Sequence, residues 1–347
     1  MKQSNIISID LAKSVFQVAI LNQNGKVLCN KKLQRAQLMP FITKQPASLI
    51  VMESCGGSNH WGRRFEALGH TPKLIAAQHV KPFVKTNKND ANDAVAIAEA
   101  SKRPNIKFVS IKTLEQQDIQ SIHRARQRLV DNRTSLVNHA RGLLAEYGMV
   151  FCVGVNRFRK ALAHLVNTTE YTGEMTPYLK ELCCEWYEEL LIVDKAIKKQ
   201  DKKIKTIATS SDQAKRLMKI EGIGPVTATA FVATLGTQAK EFKNGREMAA
   251  YLGLTPKQHS SGGKARLMGI SKRGDSHLRT LLMNGATSVI NVVGKKNDPK
   301  SQWVKNLLCR MHQNKAKVAL ANKMVRIAWV ILAKGETYKP ELASAMV

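Results

Sequence analysis

The chain has 347 residues and a formal net charge of +29, with 44% hydrophobic and 5% aromatic residues. A positive excess of this size favours a polyphosphate partner, so nucleic acid is the predicted ligand, and the hydrophobic content suffices for the cores of two or three domains. No apolar run approaches the roughly 20 residues of a membrane span, and Asp10 and Lys13 interrupt the N-terminal apolar stretch, unlike a signal peptide. The composition therefore excludes a membrane protein and predicts a folded protein of the cytoplasm.

The positive charge is concentrated at both ends of the chain. It is +10 for residues 1–110, +4 for 111–210 and +15 for 211–347. This unevenness predicts three domains with these bounds, of which the first and third bind polyanions. The six cysteines form no CxxC pair and no cluster with histidine, so the sequence supports neither a zinc site nor a disulfide framework.

Strands and helices alternate in residues 1–110, which predicts a mixed α/β layer. A turn at Asn24 and Gly25 is typical of a β-hairpin. The predicted elements, in order, are strands 6–22 and 26–33, strand 48–52, helix 60–68, strand 73–76 and helix 91–102.

Four carboxylates follow this pattern in an otherwise basic segment. Asp10 lies in the first predicted strand, Glu53 directly follows the strand 48–52, and Asp90 and Asp93 share one face at the start of a helix. Carboxylates at strand ends and on one helix face suit a divalent-metal site for phosphodiester chemistry. Four anions this close would repel one another without a cation, so the sequence predicts one or two bound Mg²⁺.

Residues 111–210 carry two helical seams. The first has apolar residues seven apart, with a second set beside them: Ile122, Leu129, Leu136 and Leu143, and Val130, Val137 and Leu144. The second seam, with Trp186 and Leu190, follows Pro177. The two seams predict a helical hairpin. The hairpin is either an intramolecular pair of packed helices or a dimerisation arm, and the pattern leaves both open.

A glycine-containing turn lies between the predicted helices 214–220 and 226–235. Gly222 and Gly224 permit a tight turn whose backbone N–H groups, at a helix N-terminus, can hold a DNA phosphate, as in a helix-hairpin-helix element. A plain connection between helices is the alternative, since glycine is common at helix ends.

A predicted flexible loop contains Ser260, Ser261, Gly262 and Gly263. Such a loop either contacts phosphate or carries a nucleophilic serine, for which His259 is a candidate base. The basic residues around it, all candidate nucleic-acid contacts, are Lys257, Lys264, Arg266, Lys272, Arg273 and Arg279.

Taken in order and spacing, the motifs resemble the transposases of insertion-sequence family 110, relatives of the Piv/MooV DNA invertases, and more closely its group 1111. The resemblance covers essentially the whole chain. The matching segments are Ser8-Ile9-Asp10-Leu11-Ala12-Lys13, Met52-Glu53-Ser54-Cys55-Gly56, Lys88-Asn89-Asp90-Ala91-Asn92-Asp93-Ala94, the Gly-Ile-Gly turn, and Gly253-Leu254-Thr255-Pro256 followed by Ser261-Gly262.

The resemblance implies a RuvC-like, RNase H-type domain, a helical coiled-coil linker and a mostly helical C-terminal transposase domain. Its implied Mg²⁺ ligands are Asp10, Glu53, Asp90 and Asp93, and its implied nucleophile is Ser261. By the same resemblance this is a bacterial recombinase whose dimers assemble into a tetramer. Serine attack leaves a phosphoserine link, strands exchange through a junction, and a noncoding RNA from the element pairs with target and donor DNA.

Three other functions fit the same residues. A Mg²⁺-dependent RuvC-like nuclease, such as a Holliday-junction resolvase, would use the carboxylates to activate water. A site-specific DNA invertase is the second alternative. A catalytically silent scaffold would need the positive charge but not the carboxylates.

In the recombinase, the serine of one subunit and the carboxylates of another could form one composite site. The low aromatic content favours contacts to nucleic-acid backbones, with sequence read by base pairing.

Overall fold

The computed structural model describes residues 5–84, 89–168, 175–236, 238–262 and 264–339. The chain divides into two compact units, Met1–Glu115 and Gln116–Val347. The helical middle therefore belongs to the same unit as the C-terminal segment.

The N-terminal unit is a six-stranded mixed sheet with helices on both faces. The strand order is β3-β2-β1-β4-β5-β6, with β1 parallel to β4, β4 parallel to β5 and the other neighbours antiparallel. Its elements are β1 (Ile6–Leu11), β2 (Val15–Leu21), β3 (Val27–Gln34), α1 (Arg35–Thr43), β4 (Leu49–Glu53), α2 (Ser58–Ala67), β5 (Thr71–Ile75), α3 (Ala77–Val80), α4 (Asp90–Ser101) and β6 (Phe108–Val109).

Alternate residues of the central strands face two different helical layers. Ile50 and Met52 of β4 join the cluster of α1 and α2, which includes Trp61 and Phe65, while Val51 between them packs towards α4. Burial on both faces explains the nearly continuous apolar runs of β1 and β4. The mixed α/β prediction is confirmed, and the sheet is consistent with the expected RuvC-like domain.

One predicted strand of this unit is wrong in extent. Residues 6–22 form two antiparallel strands, β1 and β2, because Ala12, Lys13 and Ser14 form an exposed turn between them. The apolar residues on both sides concealed this reversal. The hairpin turn is confirmed, with Gly25 at φ +85°, and the other predicted elements occur with bounds shifted by one or two residues.

The rest of the chain is mostly helical, as predicted. Its elements are α5 (Leu114–Glu146), α6 (Val155–Asn167), α7 (Pro177–Ser210), α8 (Asp212–Leu217), α9 (Pro225–Leu235), α10 (Gly245–Tyr251), β7 (Pro256–Ser261), β8 (Lys264–Ile270), α11 (Ser276–Val292), α12 (Pro299–Arg310) and α13 (Gln313–Lys334). In the part of the chain described, none of the helices is both long and apolar enough to cross a membrane.

The predicted helical hairpin is formed by α5 and α7, with α6 packed against them. Its apolar cluster includes Val137 and Leu144 of α5 and Trp186 of α7, all three of which belong to the predicted seams. Leu143 of the predicted α5 seam is exposed instead. The helix α6, which the sequence analysis did not predict, adds Phe158 to this cluster.

Ion pairs fix the antiparallel register of the hairpin. Arg126 contacts Asp201 at 2.6 Å, and Arg133 contacts Asp194 at 3.0 Å, so residue numbers rise along α5 as they fall along α7. Arg159 of α6 binds the other oxygen of Asp194 at 2.6 Å. Burial alone would raise the pKa of Asp194, but the hydrogen bonds and charges of Arg133 and Arg159 outweigh it and hold that pKa below its usual value. Asp194 therefore ties three helices together as a carboxylate.

Replacing Asp194 with Ala should lower the free energy of unfolding by about 3 kcal/mol, because two partly buried guanidinium groups lose their counterion. Denaturant unfolding measures this loss of free energy. The stabilisation by the Asp194 carboxylate is present above its pKa in the unfolded chain, about 4, and is lost as the pH falls through its lowered pKa in the native protein. Asp201→Ala is the matched control, because its carboxylate is 43% exposed, and it should cost less than about 1 kcal/mol. Equal losses in the two variants would contradict the role assigned to Asp194.

Candidate active site

The carboxyl ends of β1 and β4 bring the first two predicted carboxylates together. The strands are parallel neighbours with Ile9 beside Met52, so Asp10 and Glu53 follow side by side at the same edge of the sheet. Both are partly buried. This edge is where parallel sheets commonly place functional groups.

The helix α4 brings the other two to the same edge. Its alanine-rich face, with Ala94 and Ala98, packs against Ala19 and Leu21 of β2, and small side chains allow this close approach. The Asn89 side chain accepts a hydrogen bond from the Asn92 N–H at 2.8 Å and caps the helix. Asp90 and Asp93 then occupy the first turn, where the helix dipole favours negative charge.

All four predicted carboxylates line one cavity of about 670 Å³. Within the described ranges, no three carboxylate, histidine or cysteine side chains converge closely enough to form a ready metal cluster, so the four surround the space rather than meet at a point. The Oδ1 atom of Asp93 is buried and has no hydrogen-bond partner among the described residues. A buried carboxylate oxygen without a partner is costly, and a divalent cation would satisfy it. The residues present therefore fit such an ion.

The sequence analysis missed three residues at this edge. Gln78 and Lys81 line the cavity; they follow β5, whose carboxyl end lies beside that of β4, and this position was the signal that could have found them. Burial, and then the charges of Glu53 and Asp10, raise the pKa of the Cys55 thiol. Among the described residues that line the cavity, Lys81 is the one cation beside four carboxylates.

The segment predicted as a flexible serine loop is instead a two-stranded ribbon, β7 and β8. Ser261 pairs with Lys264, and His259 pairs with Arg266. Gly262, at φ +56°, begins the turn, and Gly263 lies outside the described residues. The prediction of a loop was wrong because β7 is polar after Pro256 and exposed along its whole length, so it lacks the alternation of apolar and polar residues that marks a half-buried strand.

The ribbon separates its two serines onto opposite faces. The Gln258 side chain donates a hydrogen bond to the Ser260 hydroxyl at 2.7 Å, so these two residues share one face. Because side chains alternate along a strand, Ser261 lies on the other face, with His259. Their cross-strand partners Lys264 and Arg266 lie on that face as well.

The basic residues predicted to contact nucleic acid differ in exposure and in their hydrogen bonds within the protein. Lys257, Lys264, Arg266, Lys272 and Arg273 are exposed. Arg279 is half-buried and donates hydrogen bonds to the carbonyl oxygens of Leu252 at 3.1 Å and Arg273 at 2.8 Å. Arg279 therefore anchors the segment that follows the ribbon, in addition to any contact with phosphate.

The two glycines of the predicted hairpin also differ. Gly222 has φ +88°, and a Cβ there would lie 2.9 Å from the carbonyl oxygen of Gly285 in α11, so its backbone packs directly on that helix. Gly224 precedes α9, is exposed and has open space around it. Gly224 is the N-cap of α9, and its exposure leaves the N-terminal end of that helix open to solvent. Glu221 beside this turn forms ion pairs with Lys296 and Lys300.

Comparisons with known proteins match the chain along most of its length. A transposase family of the DEDD type, named for IS110, matches residues 7–149, and the family described as "Transposase IS116/IS110/IS902 family" matches residues 214–302. The first match contains all four carboxylates, and the second contains the ribbon.

Full-length relatives agree with these matches. The chain is 44% identical to the transposase for insertion sequence element IS1111A of Coxiella burnetii, over 98% of this chain and 92% of the relative. It is 44% identical to a probable family 20 transposase of Pseudomonas aeruginosa, over 96% and 98%. Its identity to the transposase for insertion sequence element IS1328 of Yersinia enterocolitica is 36%, over 97% and 99%.

These matches define an insertion-sequence transposase, an enzyme that cleaves and rejoins DNA. The chain belongs to the IS116/IS110/IS902 family of transposases. The resemblance found in the sequence is thereby confirmed at the level of the family, and the DEDD domain indicates a divalent metal.

Titration with Mg²⁺ or Mn²⁺ should raise the melting temperature of the protein by about 2 to 4 °C once the cation exceeds its Kd by about ten-fold, because binding to the native carboxylates stabilises the fold. Asp93→Asn and Glu53→Gln should lose this shift and should not be less stable without metal, since each removes one of several like charges. Differential scanning calorimetry with and without the cation measures both the shift in melting temperature and the stability of the metal-free variants. Glu66→Gln is the matched control, because Glu66 is exposed and does not line the cavity. A full shift in Asp93→Asn would remove that residue from the site.

Proposed function

We propose that this transposase is an RNA-guided DNA recombinase that mobilises its own insertion element. The observation that carries the proposal is the shared cavity of Asp10, Glu53, Asp90 and Asp93. Four carboxylates around one space have no use in a protein that only binds a polyanion, since they repel phosphate. Their presence favours catalysis over a silent scaffold.

The four carboxylates would hold Mg²⁺, which supplies charge stabilisation at the reacting phosphate. The protein's own residues supply the remaining functions. The carboxylate edge positions the ion, and Lys81 at the cavity offers a cation to a DNA phosphate.

Ser261 is the proposed nucleophile. Its Oγ forms a bond to phosphorus as the hydroxyl proton passes to a base, and the bond from phosphorus to the leaving deoxyribose oxygen breaks, with that oxygen taking a proton. The reverse step, attack by the hydroxyl of another strand on the phosphoserine, rejoins DNA without loss of bond energy. His259 on the same ribbon face is a candidate for the proton transfer, and Lys264 and Arg266 beside it suit the phosphate.

The ribbon geometry favours Ser261 over its neighbour. The Ser260 hydroxyl accepts the Gln258 hydrogen bond on the opposite face, away from His259 and Lys264. Since a nucleophile needs a base and phosphate-binding cations on its own side, the face of Ser261 is the better equipped.

Sequence choice is proposed to come from a noncoding guide RNA that pairs with donor and target DNA. Exposed lysine and arginine side chains hold nucleic-acid backbones but carry little sequence information, and aromatic residues for base stacking are few. We further propose that the protein dimerises and that dimers pair as a tetramer, because strand exchange joins two DNA duplexes.

The variant Ser261→Ala should lose recombination by at least about 1,000-fold, because it removes the nucleophile, and should retain its fold because the side chain is exposed. Mass spectrometry of a trapped, nuclease-trimmed complex should place the DNA adduct on Ser261. Ser260→Ala is the control and should recombine nearly normally. An adduct on Ser260 would reverse the assignment. Strand cleavage that survives in Ser261→Ala would favour a nuclease that activates water.

Purified protein should carry an RNA transcribed from its own element, and RNase treatment should abolish site-specific recombination of matched donor and target plasmids until that RNA is restored. The physical reason is that exposed lysine and arginine side chains hold nucleic-acid backbones, which carry little sequence information. DNA affinity should fall steeply with salt. Undiminished, site-specific activity from RNA-free protein would refute the guided mechanism.

A further inference from the structure

The C-terminal unit contains a cavity of about 960 Å³ at the base of the serine ribbon, separate from the carboxylate site. Leu267, Met268 and Ile270 of β8 form one wall, and Trp303 of α12 and Lys323 of α13 form the other. Leu267 and Met268 remain 67% and 52% exposed. The walls are therefore mainly apolar and open to a ligand.

Lys323 is the unusual residue of this cavity. It is only 5% exposed, and its Nζ is buried with no hydrogen-bond partner among the described residues. The Nζ lies 4.4 Å from the ring centroid of Trp303, a contact that offsets only part of the cost of burying an ammonium group. Burial, and then the charges of Arg326 and Lys300, lower the pKa of Lys323. An incoming acceptor atom would relieve this cost.

The rest of the lining selects the ligand. Lys315 and Arg326 add positive charge, Asn314 and Asn322 add amides, and none of the described lining residues is acidic. A ligand that matches this surface has a flat apolar body, an acceptor atom for Lys323 and a phosphate for the cations. A nucleotide has all three, and every base has a π-face that suits an aromatic wall.

We propose that this cavity receives one unstacked nucleotide of the DNA strand held at the ribbon. The base enters between the ribbon and α13, where Lys323 donates to its acceptor atoms, and its phosphate contacts Lys315 or Arg326. The proposal rests on the proposed function, in which the ribbon handles DNA, and adds a subsite that selects distorted DNA.

The ribbon also predicts where this nucleotide lies relative to the cut. Leu267 pairs with Gln258, three residues from Ser261, which is about 10 Å along a strand. At about 3.4 Å per nucleotide step, the unstacked nucleotide lies about three steps from the phosphate that Ser261 attacks.

Photochemical crosslinking tests the proposal on the full-length protein. The probe is single-stranded DNA with 5-iodo-deoxyuridine at successive positions, irradiated and mapped by mass spectrometry. Crosslinks should fall on Trp303 or Met311, both of which line the cavity. Lys323→Met should weaken the crosslinking by about ten-fold, because a charge-assisted hydrogen bond is lost, while its melting temperature should not fall. Lys334→Met is the matched control: Lys334 is on the same helix, 5.7 Å from the Trp329 ring, and exposed.

The outcomes separate this subsite from the proposed function. Crosslinks confined to other surfaces, or unchanged in Lys323→Met, would overturn the subsite and leave the recombinase proposal intact. Preferential crosslinking of the same sequence as RNA would also overturn it. Ser261→Ala should crosslink normally, so a wrong choice of nucleophile would not alter the result. If Lys323→Met did not fold, the crosslink positions in the unaltered protein would still decide.

Discussion

The contact between the alanine face of α4 and the central sheet is the constraint on which the candidate catalytic edge depends. Ala94 and Ala98 let the helix backbone approach β2 closely, and larger side chains would lift α4 away. Because Asp90 and Asp93 begin this helix while Asp10 and Glu53 end two strands, the packing distance sets the spacing of the carboxylates. Repulsion among them is opposed by a hydrophobic contact that lies outside the site itself.

Much of the N-terminal unit could be predicted from sequence because its signals are local. A short stretch of sequence is enough to predict each of three features: the strand that ends at Glu53, the hairpin turn at Gly25 and the helix that begins at Asp90. The turn at Lys13 could not be predicted, since apolar residues flank it on both sides. The position of Lys81 just after β5 places it at the cavity only because β5 lies beside β4, so this signal becomes usable once the neighbouring strands are known.

The C-terminal unit was harder to predict for a physical reason. Its ribbon is exposed on both faces and lacks the apolar alternation that marks a half-buried strand, so Ser261 was placed in a loop. The choice of Ser261 as the proposed nucleophile comes from the resemblance, whereas the placement of Ser260 and Ser261 on opposite faces follows only from the strand register. The burial of Lys323 was equally invisible, because a lysine in a helical sequence usually reaches solvent.

The direct backbone contact between Gly222 and Gly285 has a mechanical consequence. Side chains can absorb small displacements by changing rotamer, but two glycine backbones in contact have nothing to rearrange. The turn before α9 and the helix α11 are therefore packed too closely for a rotamer change to accommodate a shift of one against the other. Since α11 begins shortly after β8, the proposed phosphate contact at the turn would fix the distance along the DNA between that phosphate and the base of the ribbon.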